Sequence, residues 1–186
     1  MRNVLIVISG PSGVGKGTIA DIIKADCNMA LSISCTTRQP RVGEVDGKSY
    51  FFISKEEFLA KISTNSFLEY SEHFENYYGT PKDFVLDKLK TQDVLLEIDV
   101  NGGLDVKKAY PDAILIMITP PSIDELKNRL IGRGTETLEK IEKRISRAEY
   151  ELEKQGEYDY VVINNVLKVA VDDVKNIISK EKLREV

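Results

Sequence analysis

One stretch near the N-terminus limits the fold more than any other. An apolar run, VLIVIS from Val4 to Ser9, leads directly into GPSGVGKGT, Gly10 to Thr18, and on into IADIIKAD. A β-branched strand, a glycine-rich turn and an amphipathic helix in that order form a phosphate-binding loop. Gly10, Gly13 and Gly15 let backbone N–H groups turn inward onto phosphate oxygens. The helix that follows adds the positive end of its dipole, and Lys16 can bridge β- and γ-phosphates. The loop departs from the usual pattern at Gly17, where Ser or Thr normally follows the lysine; Thr18 comes one position later. Thr18 is therefore assigned to phosphate contact. Mg²⁺, which gives up its waters reluctantly, is expected to be held through water, near Thr18 and Glu97, with no direct protein ligand assigned.

Such a loop needs a strand held inside a sheet. DVLLEIDV from Asp93, AILIMIT from Ala113 and YVVINN from Tyr160 are nearly continuous apolar runs, as strands covered on both faces require. Helical patterns lie between them, and one starts at Ser122 as N-cap with Glu125 completing a capping box. The alternation predicts an α/β fold with a parallel sheet core flanked by helices. Two inserts break the rhythm. Residues 34–81 are richer in Arg, Tyr and Gly and hold a weak strand, YFFI, a short helix, KEEFLAKI, and a strand-like run, FLEYSEHF; they form a small α+β lobe. Residues 132–156 are charge-dense on a helical period and follow a hinge-like GRGTET. The core is then 1–33, 82–131 and 157–186 of a single domain, which 186 residues suit.

A net charge of -4 gives no global attraction to nucleic acid or an anionic membrane, so any anion must be held by local basic clusters. No stretch approaches the roughly 20 apolar residues that span a bilayer. With no targeting segment, and with Cys27 and Cys35 outside any CxxC pair, the expectation is a cytoplasmic protein with free thiols. His73, the only histidine, is expected on the surface or in a loop; alone it excludes a histidine-rich zinc site.

A second cluster lies in the first insert. SCTTRQPRVGEVDGKSY sets Arg38 and Arg41 close together beside a Pro-bent segment. Two guanidinium groups there can clamp one phosphate dianion, with Tyr50 and Tyr78 adding phenol donors; the alternative is a pair of solvated arginines. Glu97 and Asp99 lie two apart on LLEIDV, which predicts one strand face opening on a crevice at the strand's carboxyl end. They are structural carboxylates or site groups. Lys140, Arg144 and Arg147 fall at helical spacings on one stripe of the second insert.

These segments, in this order, carry a resemblance. GPSGVGKGT, SCTTRQPRVGEVDGKSYFF, FLEYSEHFENYYGTP, LLEIDVNGG, PPSIDELKNRLIGRGTET and YVVIN together resemble the guanylate kinases along nearly the whole chain. The resemblance implies a P-loop NTPase-type core, a GMP-binding lobe, a helical lid and the reaction ATP + GMP = ADP + GDP. It implies Gly10, Pro11, Ser12, Gly13, Val14, Gly15, Lys16, Gly17, Thr18, Arg133 and Asn164 as ATP contacts. Ser34, Arg38, Arg41, Tyr50, Glu69, Tyr78, Thr80 and Asp99 are implied for GMP, and Lys16, Arg38, Arg133 and Arg144 for transfer. Arg129 and Arg147 are weaker lid candidates. Guanine offers two donors on one edge, N1–H and the N2 amino group, and an ionised Glu69 accepts both. Two rivals are a non-catalytic guanylate-kinase-like protein-interaction module and a kinase for another nucleoside monophosphate. Retention of Lys16, Arg38, Arg41, Arg133 and Arg144 argues against the first, and Glu69 with YYGTP against the second.

Overall fold

The computed structural model describes residues 2–73, 75–132 and 137–184. Its centre is β1 (Leu5–Ser9), buried along its whole length. Successive side chains of a strand point to opposite faces. Ile6 and Ile8 accordingly enter one apolar core, and Leu5 and Val7 enter the other. β1 pairs in parallel with β7 (Val94–Glu97) and β8 (Ile114–Thr119). Outside these lie β2 (Ala30–Leu31), beside β7, and β9 (Tyr160–Ile163), beside β8, giving the order β2-β7-β1-β8-β9. One face is covered by residues of α1 (Lys16–Asp26), α5 (Ile123–Gly132), α6 (Leu138–Glu153) and α7 (Leu167–Leu183). The other is covered chiefly by α3 (Lys82–Leu89) and α4 (Val100–Ala109).

The insert folds as its own four-stranded sheet, β4-β3-β6-β5, from β3 (Cys35–Thr36), β4 (Phe51–Phe52), β5 (Phe67–His73) and β6 (Asn76–Pro81). α2 (Lys55–Ser63) packs on it, and the Phe58 and Phe67 rings stack 4.4 Å apart beside Cys35. Ser54 caps α2, its hydroxyl accepting from the Glu57 N–H at 3.1 Å. His73 closes β5. Burial pushes the Cys35 thiol up to about 11, so it is an inert core group at neutral pH.

Three sequence expectations shift. β2 is only two residues long, too short to leave a periodic signal, yet Ala30 and Ser32 donate to the Asp93 and Leu95 carbonyls. β7 is shorter than DVLLEIDV. Asp93 stands outside it, accepting from the Val4 N–H at 2.9 Å and pairing with Lys182 at 2.6 Å. Ser122 does cap its helix, accepting from the Glu125 N–H at 3.1 Å, but the Glu125 carboxylate turns to Arg129 Nε at 3.0 Å rather than back to the cap.

α4 approaches the sheet at a glycine. The Tyr158 hydroxyl donates to the Val100 carbonyl at 2.9 Å, and a Cβ on Gly103 would fall on that hydroxyl and come within 2.9 Å of Ser9 Oγ. Both obstacles are buried, so Gly103→Ala should cost about 1–3 kcal/mol by overpacking. Urea unfolding of the variant measures this; an unchanged midpoint would show that α4 has room here. Tyr158→Phe in the Gly103→Ala background should recover part of the loss.

Candidate active site

All five core strands run parallel, so the segments that follow them emerge at one edge, where α/β sheets hold ligands. The loop from Gly10 to Gly15 leaves β1 at this edge. Gly15 is the N-cap of α1 with φ 94, a left-handed conformation that favours glycine. A Cβ there would also lie 2.6 Å from the Asn164 Nδ2. The first turn of α1 contains no acidic residue, so nothing opposes an anion at its amino end. Asn164 follows β9 and is buried; its Nδ2 donates to the Val14 carbonyl at 2.8 Å and braces the loop from behind.

In front of the loop is a cleft of about 540 Å³ lined by Gly10, Ser12, Lys16, Asp99 and the α6 side chains Lys143, Arg144, Arg147 and Glu151. Four cationic groups face two carboxylates there, a local positive site on a chain of net charge -4. Arg144 Nη1 donates to Ser12 Oγ at 2.9 Å, so the helical insert already touches the loop. The stripe facing the cleft is Lys143, Arg144 and Arg147; Lys140 is exposed on α6 and does not line it. Arg147 pairs with the buried Glu151 at 2.9 Å, and Arg129 with Glu125 at 3.0 Å on α5. Arg133 lies outside the described residues. A larger cleft, about 670 Å³, lies at the opposite edge, around the first residues of β8 and β9. It contains no loop residue; within it Lys107 pairs with Asp159, and the Tyr160 hydroxyl donates to Glu181.

Glu97 and Asp99 do not share a strand face. β7 ends at Glu97, and Asp99 is the N-cap of α4, its Oδ1 accepting from the Gly102 N–H at 2.9 Å. Alternation fails because the chain has already turned to start a helix. Glu97 is exposed and lies beside α1: a Cβ on Gly17 would be 3.4 Å from its Oε1. Glu97 also lines a smaller cleft of about 160 Å³ with Ser32, Ser34, Ser49 and Tyr50.

In the lobe, Arg38 is not a solvated arginine. Its side chain is 14% exposed, with Nη1 and Nη2 donating to Glu44 Oε2 and Oε1 at 3.0 and 2.8 Å. Its guanidinium carbon stands 5.5 Å from the Tyr50 ring centre, and the Tyr50 and Tyr78 rings meet edge-on at 6.1 Å. Arg41 is exposed, and its backbone N–H donates to the same Glu44 carboxylate at 2.7 Å. Glu44 was not among the sequence candidates. The signal was its place three residues after Arg41 across a glycine, where a turn returns the side chain to both arginines.

Glu69 on β5 is paired in register with Thr80 on β6, and both are buried. Thr80 Oγ1 donates to Glu69 Oε1 at 2.6 Å, while Oε2 lies against the first turn of α4, 3.2 Å from where a Gly102 Cβ would be. Burial raises the Glu69 carboxyl to about 7; the Thr80 bond opposes this, and the Asp99 charge adds to it. Where the sequence suggested a fully ionised acceptor, the ligand-free carboxyl therefore sits near half-protonation at neutral pH. With the folded pKa above the unfolded one, the folded state holds more protons between about pH 4.5 and pH 7. Glu69 consequently costs stability that grows as pH rises through that window. Glu69→Gln removes the titration, so its stability relative to the native protein should rise between pH 5 and pH 8, by on the order of 3 kcal/mol. Chemical denaturation at the two pH values tests this. A pH-independent difference would place Glu69 in a wet site.

Comparison with known proteins gives one consistent result. The family profile described as guanylate kinase matches residues 2–181. The guanylate kinase of Clostridium tetani is 51% identical over 184 residues, covering 98% of this chain and 88% of its own. That of Caldanaerobacter subterraneus is 52% identical over 185 residues, covering 98% and 90%. A crystal structure of guanylate kinase from Anaplasma phagocytophilum superposes with a TM-score of 0.74 at 31% identity, over 98% of this chain and 88% of that one. A shikimate kinase from Bacteroides thetaiotaomicron, 13% identical with a TM-score of 0.52, shares the fold alone.

Proposed function

The chain belongs to the guanylate kinase family, and on that footing we propose that it transfers the γ-phosphoryl group of ATP to GMP, giving ADP and GDP. The observation that carries the choice of acceptor is the buried Glu69–Thr80 pair at the junction of lobe and core. A carboxylate there accepts from both N1–H and the amino group of guanine. Against adenine, with an acceptor at N1, the ionised form would leave a buried oxygen facing a lone pair, at a cost of about 1–3 kcal/mol, so the discrimination belongs to the ionised carboxylate.

Placement supports the remaining roles. The loop amides and Lys16 hold the donor phosphates, with Thr18 beside them. Arg38, Arg41, Tyr50 and Tyr78 hold the acceptor phosphate. Asp99 at the start of α4 lies between the two sites, and Ser34 lines the cleft leading from the lobe to Glu97. Phosphoryl transfer asks mainly for positioning and for neutralisation of charge on the moving group. Lys16, Arg38, Arg144 and Arg133 supply the cations. No general base is needed, because the attacking phosphate oxygen is already anionic. Among the described residues no three His, Cys, Asp or Glu side chains group as a metal cage. The hard oxygens of Glu97 beside Gly17 suit the waters of a Mg²⁺ that arrives with ATP and supplies further neutralisation of phosphate charge. Closure of lobe and lid would exclude water and suppress ATP hydrolysis. The reading is completed by a cytoplasmic setting in purine nucleotide metabolism, with small-molecule substrates and neither nucleic acid nor membrane as partner. No helix among the described residues is long and apolar enough to cross a membrane.

Coupled ADP-release assays with ATP and a panel of monophosphates test the assignment. GMP should far exceed AMP, CMP and UMP, and equal turnover of any of these would overturn it. Glu69→Gln should lower the GMP-to-AMP ratio of kcat/KM by roughly 10-fold or more, since the new NH₂ group opposes a guanine donor but meets an adenine acceptor. Lys16→Ala should lower kcat by about 10²-fold or more with the fold intact by circular dichroism. A near-normal kcat would remove Lys16 from the transfer machinery.

A further inference from the structure

Glu44 touches both arginines of the acceptor cluster and has no role in the scheme so far. Its Oε1 accepts from Arg38 Nη2, and its Oε2 accepts from Arg38 Nη1 and from the Arg41 backbone N–H. The Glu44 N–H returns to the Arg41 carbonyl at 3.0 Å, so the segment closes on itself as a turn. Arg38 Nη1 spends a further bond on the Gln39 carbonyl at 2.7 Å. The end-on fork of the guanidinium is thus filled, and its remaining N–H groups, Nε–H and the second N–H of Nη2, form the side edge that a phosphate would share with the Tyr78 hydroxyl. The Tyr78 hydroxyl is hydrogen-bonded to the same guanidinium, and the Tyr50 ring stands beside it.

We propose that Glu44 is a positioning residue for the acceptor phosphate. It grips Arg38 by its Nη1 and Nη2 end, so that the side edge faces the phosphate together with Tyr50, Tyr78 and Arg41. This rests on the GMP kinase reading. An arginine side chain has many rotamers, and a fixed bidentate partner removes that freedom before the substrate arrives. The charged carboxylate also acts on both cationic side chains and offsets their mutual repulsion within one turn. Held low by the Arg38 bonds and the Arg41 N–H, it stays charged across the working range. The opposing possibility is that Glu44 occupies the phosphate's own place and must be displaced by it. The two ideas predict opposite signs when the carboxylate is removed.

The test is steady-state kinetics with GMP varied at saturating ATP, and the converse, on the native protein, Glu44→Ala, Glu44→Gln, Arg38→Ala and the Arg38→Ala/Glu44→Ala double variant. Failure of the native protein to phosphorylate GMP would sink the parent reading before Glu44 is in question. Given that activity, Glu44→Ala should raise KM for GMP about 10-fold or more, with KM for ATP within about 2-fold of native. Glu44→Gln, which keeps the shape and one acceptor oxygen, should fall between. Because Glu44 acts through Arg38, the double variant should be no worse than Arg38→Ala by more than about 2-fold. A KM for GMP that is unchanged or lower in either folded Glu44 variant would overturn the proposal, as would losses that simply add in the double variant. If Glu44→Ala does not fold, Glu44→Gln carries the same criteria.

Discussion

Burial of β1 on both faces is the constraint on which the rest depends. Leu5, Ile6, Val7 and Ile8 are each no more than 1% exposed, and parallel neighbours take the strand's backbone groups on both sides. That fixes where Ser9 ends and in which direction Gly10 to Gly15 leave the sheet. The neighbouring strands deliver Glu97, Thr119 and Asn164 to the same edge. The glycine loop is then held from two sides, by Asn164 on the Val14 carbonyl and by the helix that begins at Lys16. A phosphate loop is a backbone device, and its geometry is only as good as the strand that anchors it.

Charge is managed locally within a chain that is acidic overall. Arg38 has Glu44, Arg147 has Glu151, and Arg129 has Glu125, each at hydrogen-bonding distance. Such pairs at the surface contribute little stability. Their effect here is orientation, since a long flexible cation is useful to a phosphate only when it points the right way. Glu69 is also buried, but its partner is Thr80, and it has no cationic partner among the described residues. The protein holds this carboxyl in an unfavourable setting, as functional sites often do, and guanine would supply the donors that relieve it.

Much of this was legible in the sequence. Continuous apolar runs announced buried parallel strands because both faces of β1, β7 and β8 are covered. The loop followed from glycine spacing and flanks. What escaped depended on two-residue events or on chain reversal. β2 is too short to show a period. Asp99 alternates with Glu97 on paper, yet the chain turns between them and Asp99 becomes a helix cap. Glu44 was hidden because a turn, not a regular element, brings it back to Arg38. The stripe on α6 was displaced from Lys140 to Lys143, since spacing alone does not fix the rotation of a helix against its neighbour. The pKa of Glu69 depended on burial, which the strand pattern of an insert could not reveal.

The central claim is that a buried, half-protonated Glu69 becomes the ionised acceptor for guanine. Isothermal titration of GMP at pH 7, in buffers of different ionisation enthalpy, measures the protons exchanged on binding. Ionisation of Glu69 should release about half a proton per GMP beyond whatever the phosphate contributes, given a carboxyl near 7 in the free protein. The same titration of Glu69→Gln retains the phosphate's share and should lose the rest. Equal proton release by native protein and variant, with both binding GMP, would contradict the account.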